Sequence, residues 1–243
     1  MSSDADKILF ELAAVDAERL RRAADRDLMQ RVIALKAYQQ LRLSHTYADL
    51  LASERYAPAA RFFLDELYGP SDFTRRDAQF ARVVPALARL FPREIVQTVA
   101  TLSRLHALSE SLDTEMALGL TSAEVDAQAY AAAWRATGRA SDREKQIGLT
   151  LDVASALDRL TRRALIRNSL RMMRGPARAA GLSELQVFLE AGFDTFRAMD
   201  GATEFMGIVD EREHALGRTL FADFPSVLTS GLLPDTSKLG RSG

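Results

Sequence analysis

The chain has 243 residues, of which 47% are hydrophobic, and it carries 33 acidic against 32 basic side chains for a formal net charge of −1. This composition is ample for a hydrophobic core and excludes a wholly disordered chain. The lack of cysteine excludes disulfide bonds, thiolate zinc sites and cysteine nucleophiles, and no apolar run approaches the roughly 20 residues that cross a bilayer.

In chain order, the first seven residues are polar and acidic rather than basic and then apolar, so we expect no signal peptide and a cytoplasmic location. Residues 4–53 contain neither glycine nor proline and repeat apolar side chains at helical spacing. This pattern predicts two helices with a break near Asp25. Pro58 suits the first turn of the next helix, and Gly69-Pro70 should end it.

Capping and stop residues predict the later helices. Thr74 and Asp77 resemble a capping box that opens a helix kinked at Pro85, and Pro92 should begin the next helix, which ends at Gly119. Three further capping boxes predict helix starts, at Thr121 to Glu124, at Ser141 to Glu144 and at Ser183 to Gln186. These helices should end near Gly138, Gly175-Pro176 and Gly201, and a last helix should run from about Ala202 to Phe221.

No segment shows the sustained period-two alternation that strands require. The sequence therefore predicts an all-α protein. We expect a single-domain bundle of about eight helices over residues 1–224, followed by an extended or disordered tail over residues 225–243.

Residues 62–77 read FFLDELYGPSDFTRRD. This stretch resembles the pattern FFL-x-[DE]-LYGP-x-D-F-x-x-RD of a family of uncharacterised proteobacterial all-helical proteins, and the resemblance extends over most of the chain. The resemblance implies no established activity, so it carries no catalytic residues over to this sequence.

Two interpretations of this motif are open. In the preferred one, Phe63 and Leu67 face the core while the glycine and proline end the helix. In the other, the turn is a ligand- or partner-binding site, because loops between rigid helices often carry function. Its candidate residues are Asp65, Tyr68 and Arg76.

Each of the three histidines has an acidic residue one helical turn away: His45 with Asp49, His106 with Glu110, and His214 with Glu211 and Asp210. Such pairs share a helix face, and Glu-x-x-His is the recurring unit of carboxylate-bridged di-iron sites, although such a site needs two units and this chain has one. His45 and His106 fall on apolar stripes and should face inward, whereas His214 should be exposed. We expect satisfied core histidines and no cofactor, with an iron, manganese or haem site as the alternative.

Seven arginines follow one another without an intervening acid: Arg159, Arg162, Arg163, Arg167, Arg171, Arg174 and Arg178. Four of them are spaced by four residues and should form one ridge on the helix that starts at Ser141. Residues 184–223 contain nine acids against three arginines, so the following helices could neutralise the ridge internally. Alternatively, Arg163, Arg167 and Arg171 bind an acidic protein or a small anionic ligand. The near-neutral net charge makes nucleic acid an unlikely partner.

The sequence has no G-x-S-x-G elbow, phosphate-binding loop or G-x-G-x-x-G fingerprint, which argues against hydrolase and nucleotide-dependent chemistry. We therefore expect a non-enzymatic helical binding protein, with a small anionic or apolar ligand inside the bundle or a protein partner on its surface. A metal- or haem-dependent helical oxidase is the alternative.

Overall fold

The computed structural model describes residues 3–67, 73–222 and 231–235, which form twelve α-helices and no strand. The first six are α1 Asp4–Ala23, α2 Arg26–Thr46, α3 Ala48–Ala52, α4 Ala57–Phe62, α5 Thr74–Leu90 and α6 Arg93–Leu118. The others are α7 Ala127–Ala136, α8 Ala140–Thr161, α9 Ala164–Met172, α10 Arg174–Ala179, α11 Ser183–Ala198 and α12 Thr203–Ala222. A π-helical segment, Phe63–Leu67, continues α4. The all-α prediction is confirmed, with more helices than expected among the described residues because short helices follow α2 and α8.

The long helix α6 packs against α1, α2 and α8, while α12 packs against α7 and α8. The helix α11 lies against α4, α5, α8 and α9. Buried apolar side chains gather in three clusters. One joins α2, α6, α7 and α12, a second joins α2 to α4 with α8, α11 and α12, and a third joins α1, α5 and α6.

Several predicted boundaries are confirmed. Asp25 caps α2 with its side chain, Pro58 lies in the first turn of α4, Pro92 precedes α6, and α6 ends just before Gly119. The helix α5 continues through Pro85. Gly69 and Pro70 lie outside the described residues. No helix in the described ranges combines the length and apolar character needed to cross a membrane.

The predicted capping boxes are wrong. α7 begins at Ala127 behind the cap Asp126, α8 begins before Ser141, and Ser183 already lies inside α11. Phe73, not Thr74, occupies the N-cap position of α5. The pattern misleads because acids are favoured throughout a first helical turn by the helix dipole, whereas a cap must also leave the helical backbone conformation.

Part of the predicted tail packs on the bundle. Leu233 is buried against the cluster that joins α2, α6, α7 and α12, and Pro234 accepts a hydrogen bond from the hydroxyl of Tyr38. Residues 231–235 therefore add to the core beside α2, without forming a helix.

Candidate ligand-binding cavity

A cavity of about 230 Å³ lies between the helices, with walls from α1, α2, α6, α7, α8 and α12 and from α4, α5 and α11. A single water needs roughly 10–15 Å³ of such space, and an engineered apolar cavity of about 150 Å³ is enough to bind benzene. The space is therefore larger than a packing defect and large enough for a small organic molecule.

One side of the cavity is apolar and aromatic. Its wall includes Phe63, Phe80, Leu102, Phe188 and Phe205. The ring of Phe63 stacks on that of Phe205 with centroids 5.8 Å apart, which fixes this part of the wall. The expectation that Phe63 belongs to the core holds, with the addition that it also lines the cavity.

The carboxylates of the cavity wall are engaged by cations of the chain. The Nζ of Lys36 lies 2.7 Å from Glu110 Oε1 and 3.8 Å from Asp113 Oδ2. The guanidinium of Arg42 donates to Glu213 Oε1 over 2.6 Å. Burial alone would raise the pKa of the Glu110 carboxyl, but the charges of Lys36 and Arg22 outweigh it and hold that pKa well below its usual range.

Three buried donor groups beside these carboxylates have no hydrogen-bond partner among the described residues. They are Nε of Arg42, the hydroxyl of Tyr130 and Nε1 of Trp134, and we call them the donor end of the cavity. The rings of Tyr130 and Trp134 are 5.9 Å apart. An unsatisfied buried polar group costs about 1–3 kcal/mol, so three in one place require an explanation.

Charged side chains of both signs act on the donor end, because Glu213 and Asp113 oppose Arg42 and Arg143 in their effect on Tyr130. The guanidinium of Arg143 lies over the Trp134 ring, 3.9 Å from its centroid. Burial raises the pKa of the Tyr130 hydroxyl, and the charges of Arg42 and Arg143 act in the opposite direction. Both guanidinium groups are therefore close enough to influence an anion at this end.

A family model described as "Domain of unknown function (DUF8198)" matches residues 18–227. The chain belongs to the DUF8198 family. The matched range includes every residue named above as part of the cavity wall. Neither the curated proteins nor the solved structures contain a significant match to the chain.

His106 faces inward, as predicted, and lines the cavity together with Glu110 one helical turn further along α6. Its Nε2 lies 2.9 Å from Asp77 Oδ2 on α5, a partner that the sequence did not predict. Arg19 donates to the same oxygen over 2.6 Å. Burial alone would raise the pKa of Asp77, yet the hydrogen bonds and charges of His106 and Arg19 lower it to about 2.

His45 is exposed, so the prediction that it faces inward is wrong. Because α2 ends at Thr46, His45 and Asp49 do not share one helix. The Nε2 of His45 lies 2.8 Å from the carbonyl oxygen of Gly231. Both carboxylate oxygens of Asp49 instead accept from Arg212, over 2.7 Å each, which lowers the Asp49 pKa to about 2.

His214 is partly buried rather than fully exposed, and it lies between Asp210 Oδ1 at 2.8 Å and Glu144 Oε2 at 2.9 Å. Asp210 is therefore the predicted companion that lies beside His214, whereas Glu211, the other one, is exposed. Within the described residues, no group of three or more His, Asp or Glu side chains is placed to hold a metal ion.

The structure separates the candidates of the turn motif. The guanidinium of Arg76 lies over the Phe73 and Phe188 rings, 4.0 and 4.4 Å from their centroids, and forms part of the cavity wall. Asp65 is exposed. Tyr68 falls outside the described residues.

The predicted single ridge of arginines is wrong, because the helix breaks between Thr161 and Ala164. Several of these arginines pair with acids of the chain: Arg163 with Glu94 at 2.8 Å, Arg167 with Asp194 at 3.1 Å, and Arg174 with Glu190. Arg171 is exposed. Asp194 and Glu190 belong to the acidic segment expected to neutralise the arginines, whereas Glu94 does not.

Sequence analysis did not identify Tyr130, Trp134 or Arg42. The spacing of Tyr130 and Trp134, four residues apart, does predict that the two side chains share one face of α7. Their proximity to Arg42 could not be predicted, since it depends on packing between α2 and α7.

Proposed function

We propose that the protein binds a small amphipathic molecule in its central cavity. The observation that carries this proposal is the pairing of an aromatic and apolar wall with buried donors that lack partners. Ligand sites have this composition: mostly apolar surface with a few polar groups that orient the ligand.

The unsatisfied donors favour binding over a purely structural role for the cavity. Phenylalanine at position 130 should give a higher free energy of unfolding than tyrosine, because the tyrosine hydroxyl forms no hydrogen bond within the described residues. Selection for stability alone would therefore not favour tyrosine there. Keeping a polar atom at a stability cost is typical of functional sites.

Fluorescence of Trp134 tests the proposal. It is the only tryptophan of the chain and lies on the cavity wall, so its emission reports events in the cavity. We expect octan-1-ol, a neutral amphipathic probe, to change this emission saturably.

The substitution Ala154→Leu should abolish that response, because Ala154 lines the cavity and the larger side chain fills it. Ala156→Leu on the same helix is the matched control, since Ala156 is buried but does not line the cavity. Circular dichroism should show that both variants fold. No response to octan-1-ol, or an undiminished response in Ala154→Leu, contradicts the proposal.

The second candidate function is a metal- or haem-dependent oxidase, and the position of His106 on the cavity wall is the observation that favours it. Because Nε2 of His106 is already engaged by Asp77, a metal at that nitrogen would have to displace this bond. Addition of haem should produce no Soret band that His106→Ala removes, and the protein purified without chelators should carry no stoichiometric iron or manganese. Either signal would favour the oxidase.

A cytoplasmic location and a proteobacterial source also belong to this proposal. The source is supported by the sequence motif at residues 62–77. Cell fractionation with an antibody against the protein tests the location, and recovery with the membrane or periplasmic fraction would contradict it.

A further inference from the structure

Resting on the proposed function, we propose that the cavity selects a small monocarboxylate, with its carboxylate at the donor end and its hydrocarbon part along the aromatic wall.

The hydrogen-bonding capacity left at the donor end consists mainly of donors. Nε of Arg42 and Nε1 of Trp134 can only donate, and the hydroxyl of Tyr130 can donate or accept. None of these atoms has a partner among the described residues. A ligand that satisfies them must bring acceptor oxygens.

The carboxylates of the wall do not compete for this role. Glu213 accepts from Arg42 and from the Tyr47 hydroxyl, and Asp113 accepts from Gln39 over 2.9 Å. Glu110 pairs with both Lys36 and the buried Arg22. Their negative charge is compensated within the chain, so a ligand ammonium finds no carboxylate without a cation.

Charge near the donor end also favours an anion. The guanidinium groups of Arg42 and Arg143 both act on Tyr130, and Arg143 covers the Trp134 ring. The charge of Arg42 is offset by Glu213, so a carboxylate is attracted chiefly by Arg143, whereas an amine would add another cation beside both guanidinium groups. Hydrogen bonds to ionised groups are also stronger than those to neutral groups.

The remainder of the ligand should be hydrocarbon. Much of the wall outside the donor end is apolar and includes Phe63, Leu102 and Val209, although Arg76, Asp77 and His106 also line the cavity. Beside the apolar side chains, additional hydroxyl or amine groups on the ligand would lose their hydration without compensation.

Isothermal titration calorimetry with three probes of equal chain length tests the inference: octanoate, octan-1-ol and octylamine. Measurements at pH 7.5 keep octanoate ionised, because carboxyl groups titrate near pH 4. We expect octanoate to bind about tenfold more tightly than octan-1-ol, and octylamine to bind most weakly.

Two conservative variants identify the recognising groups. Tyr130→Phe and Trp134→Phe each remove one donor and keep a ring, so each should lower octanoate affinity severalfold and octan-1-ol affinity by a smaller factor, because an ionised acceptor forms the stronger hydrogen bond. Tyr38→Phe is the matched control, because its ring lies 4.8 Å from that of Tyr130 and its hydroxyl bonds to Pro234, outside the cavity wall.

The outcomes separate this inference from the proposed function. If octanoate and octan-1-ol bind equally, the cavity binds amphipathic molecules but does not select a carboxylate, and the inference fails alone. If no probe binds, both fail. An equal loss of octanoate affinity in Tyr38→Phe would assign the effect to general packing and overturn the role of the donor end.

Discussion

At the junction of α1 and α6, the buried guanidinium of Arg22 uses each of its nitrogens. Its Nε donates to Thr114 over 2.9 Å, and its two Nη groups donate to the carboxylate and the carbonyl oxygen of Glu110. At the donor end of the cavity, Arg42, Tyr130 and Trp134 are equally buried, yet each keeps a polar atom without a partner in the described chain. The first region has the character of a structural clamp, whereas the second has that of a site awaiting a ligand.

This difference teaches how burial is to be interpreted. Burial of a polar group does not indicate function when all its hydrogen bonds are made within the chain. Buried polar groups that lack partners and lie together beside a cavity do indicate function, since they lower the stability of the fold and form no hydrogen bond that would stabilise it.

The clamp gives the largest expected effect. Arg22→Met should lower the free energy of unfolding by about 3–5 kcal/mol, because it leaves the Glu110 carboxylate buried with one cation fewer. Arg21→Met is the control: Arg21 pairs with Glu115 at 3.0 Å in an exposed position, so its loss should cost less than about 1 kcal/mol. Urea denaturation measures both, and similar losses would contradict the assignment of Arg22 as a clamp.

The next effect comes from Asp77 and depends on pH. Its pKa is about 2 in the folded protein against 3.8 ordinarily, so its ionised form stabilises the fold above pH 3.8. That contribution, about 2 kcal/mol, should be lost as the pH falls from 3.8 towards 2. Asp77→Asn should remove this part of the pH dependence of unfolding.

Asp49 provides the comparison for this titration. Its pKa is also about 2, but its side chain is 58% exposed and its ion pair is screened by solvent. Asp49→Asn should therefore change the acid dependence much less than Asp77→Asn. Equal changes would show that burial at the cavity wall does not strengthen the Asp77 interactions.

The smallest expected change in the free energy of unfolding is at the donor end, and unlike the changes above it should not be a loss. Tyr130→Phe should leave the stability of the ligand-free protein unchanged or raise it by up to about 1 kcal/mol, because it removes an unsatisfied hydroxyl. Tyr38→Phe should lower stability by about 0.5–1 kcal/mol, because it removes the bond to Pro234. A clear loss of stability in Tyr130→Phe would mean that its hydroxyl has a structural partner.

Local signals in the sequence predicted most of the fold. Pro58, Pro92 and Gly119 act through their own backbone preferences, and Asp25 caps its own helix, so neighbouring residues suffice to identify these boundaries. The capping boxes at Ser141 and Ser183 failed, because sequence spacing does not determine which residue leaves the helical conformation.

The site was harder to predict because it is not local. Because α2 ends at Thr46, His45 and Asp49 belong to different helices, and spacing in the sequence did not reveal this break. The partner of His106 came from α5 rather than from its own helix. The cavity itself depends on the packing of nine helices, and no sequence window contains that information.

The indole N–H of Trp134 offers the most direct test of the central claim. With one tryptophan in the chain, a ¹H–¹⁵N spectrum contains a single indole signal. Octanoate should move this signal downfield as Nε1 gains an acceptor, octan-1-ol should move it less, and Tyr38→Phe should leave both responses intact. An indole signal that stays in place while octanoate binds would contradict the claim that the donor end recognises the ligand.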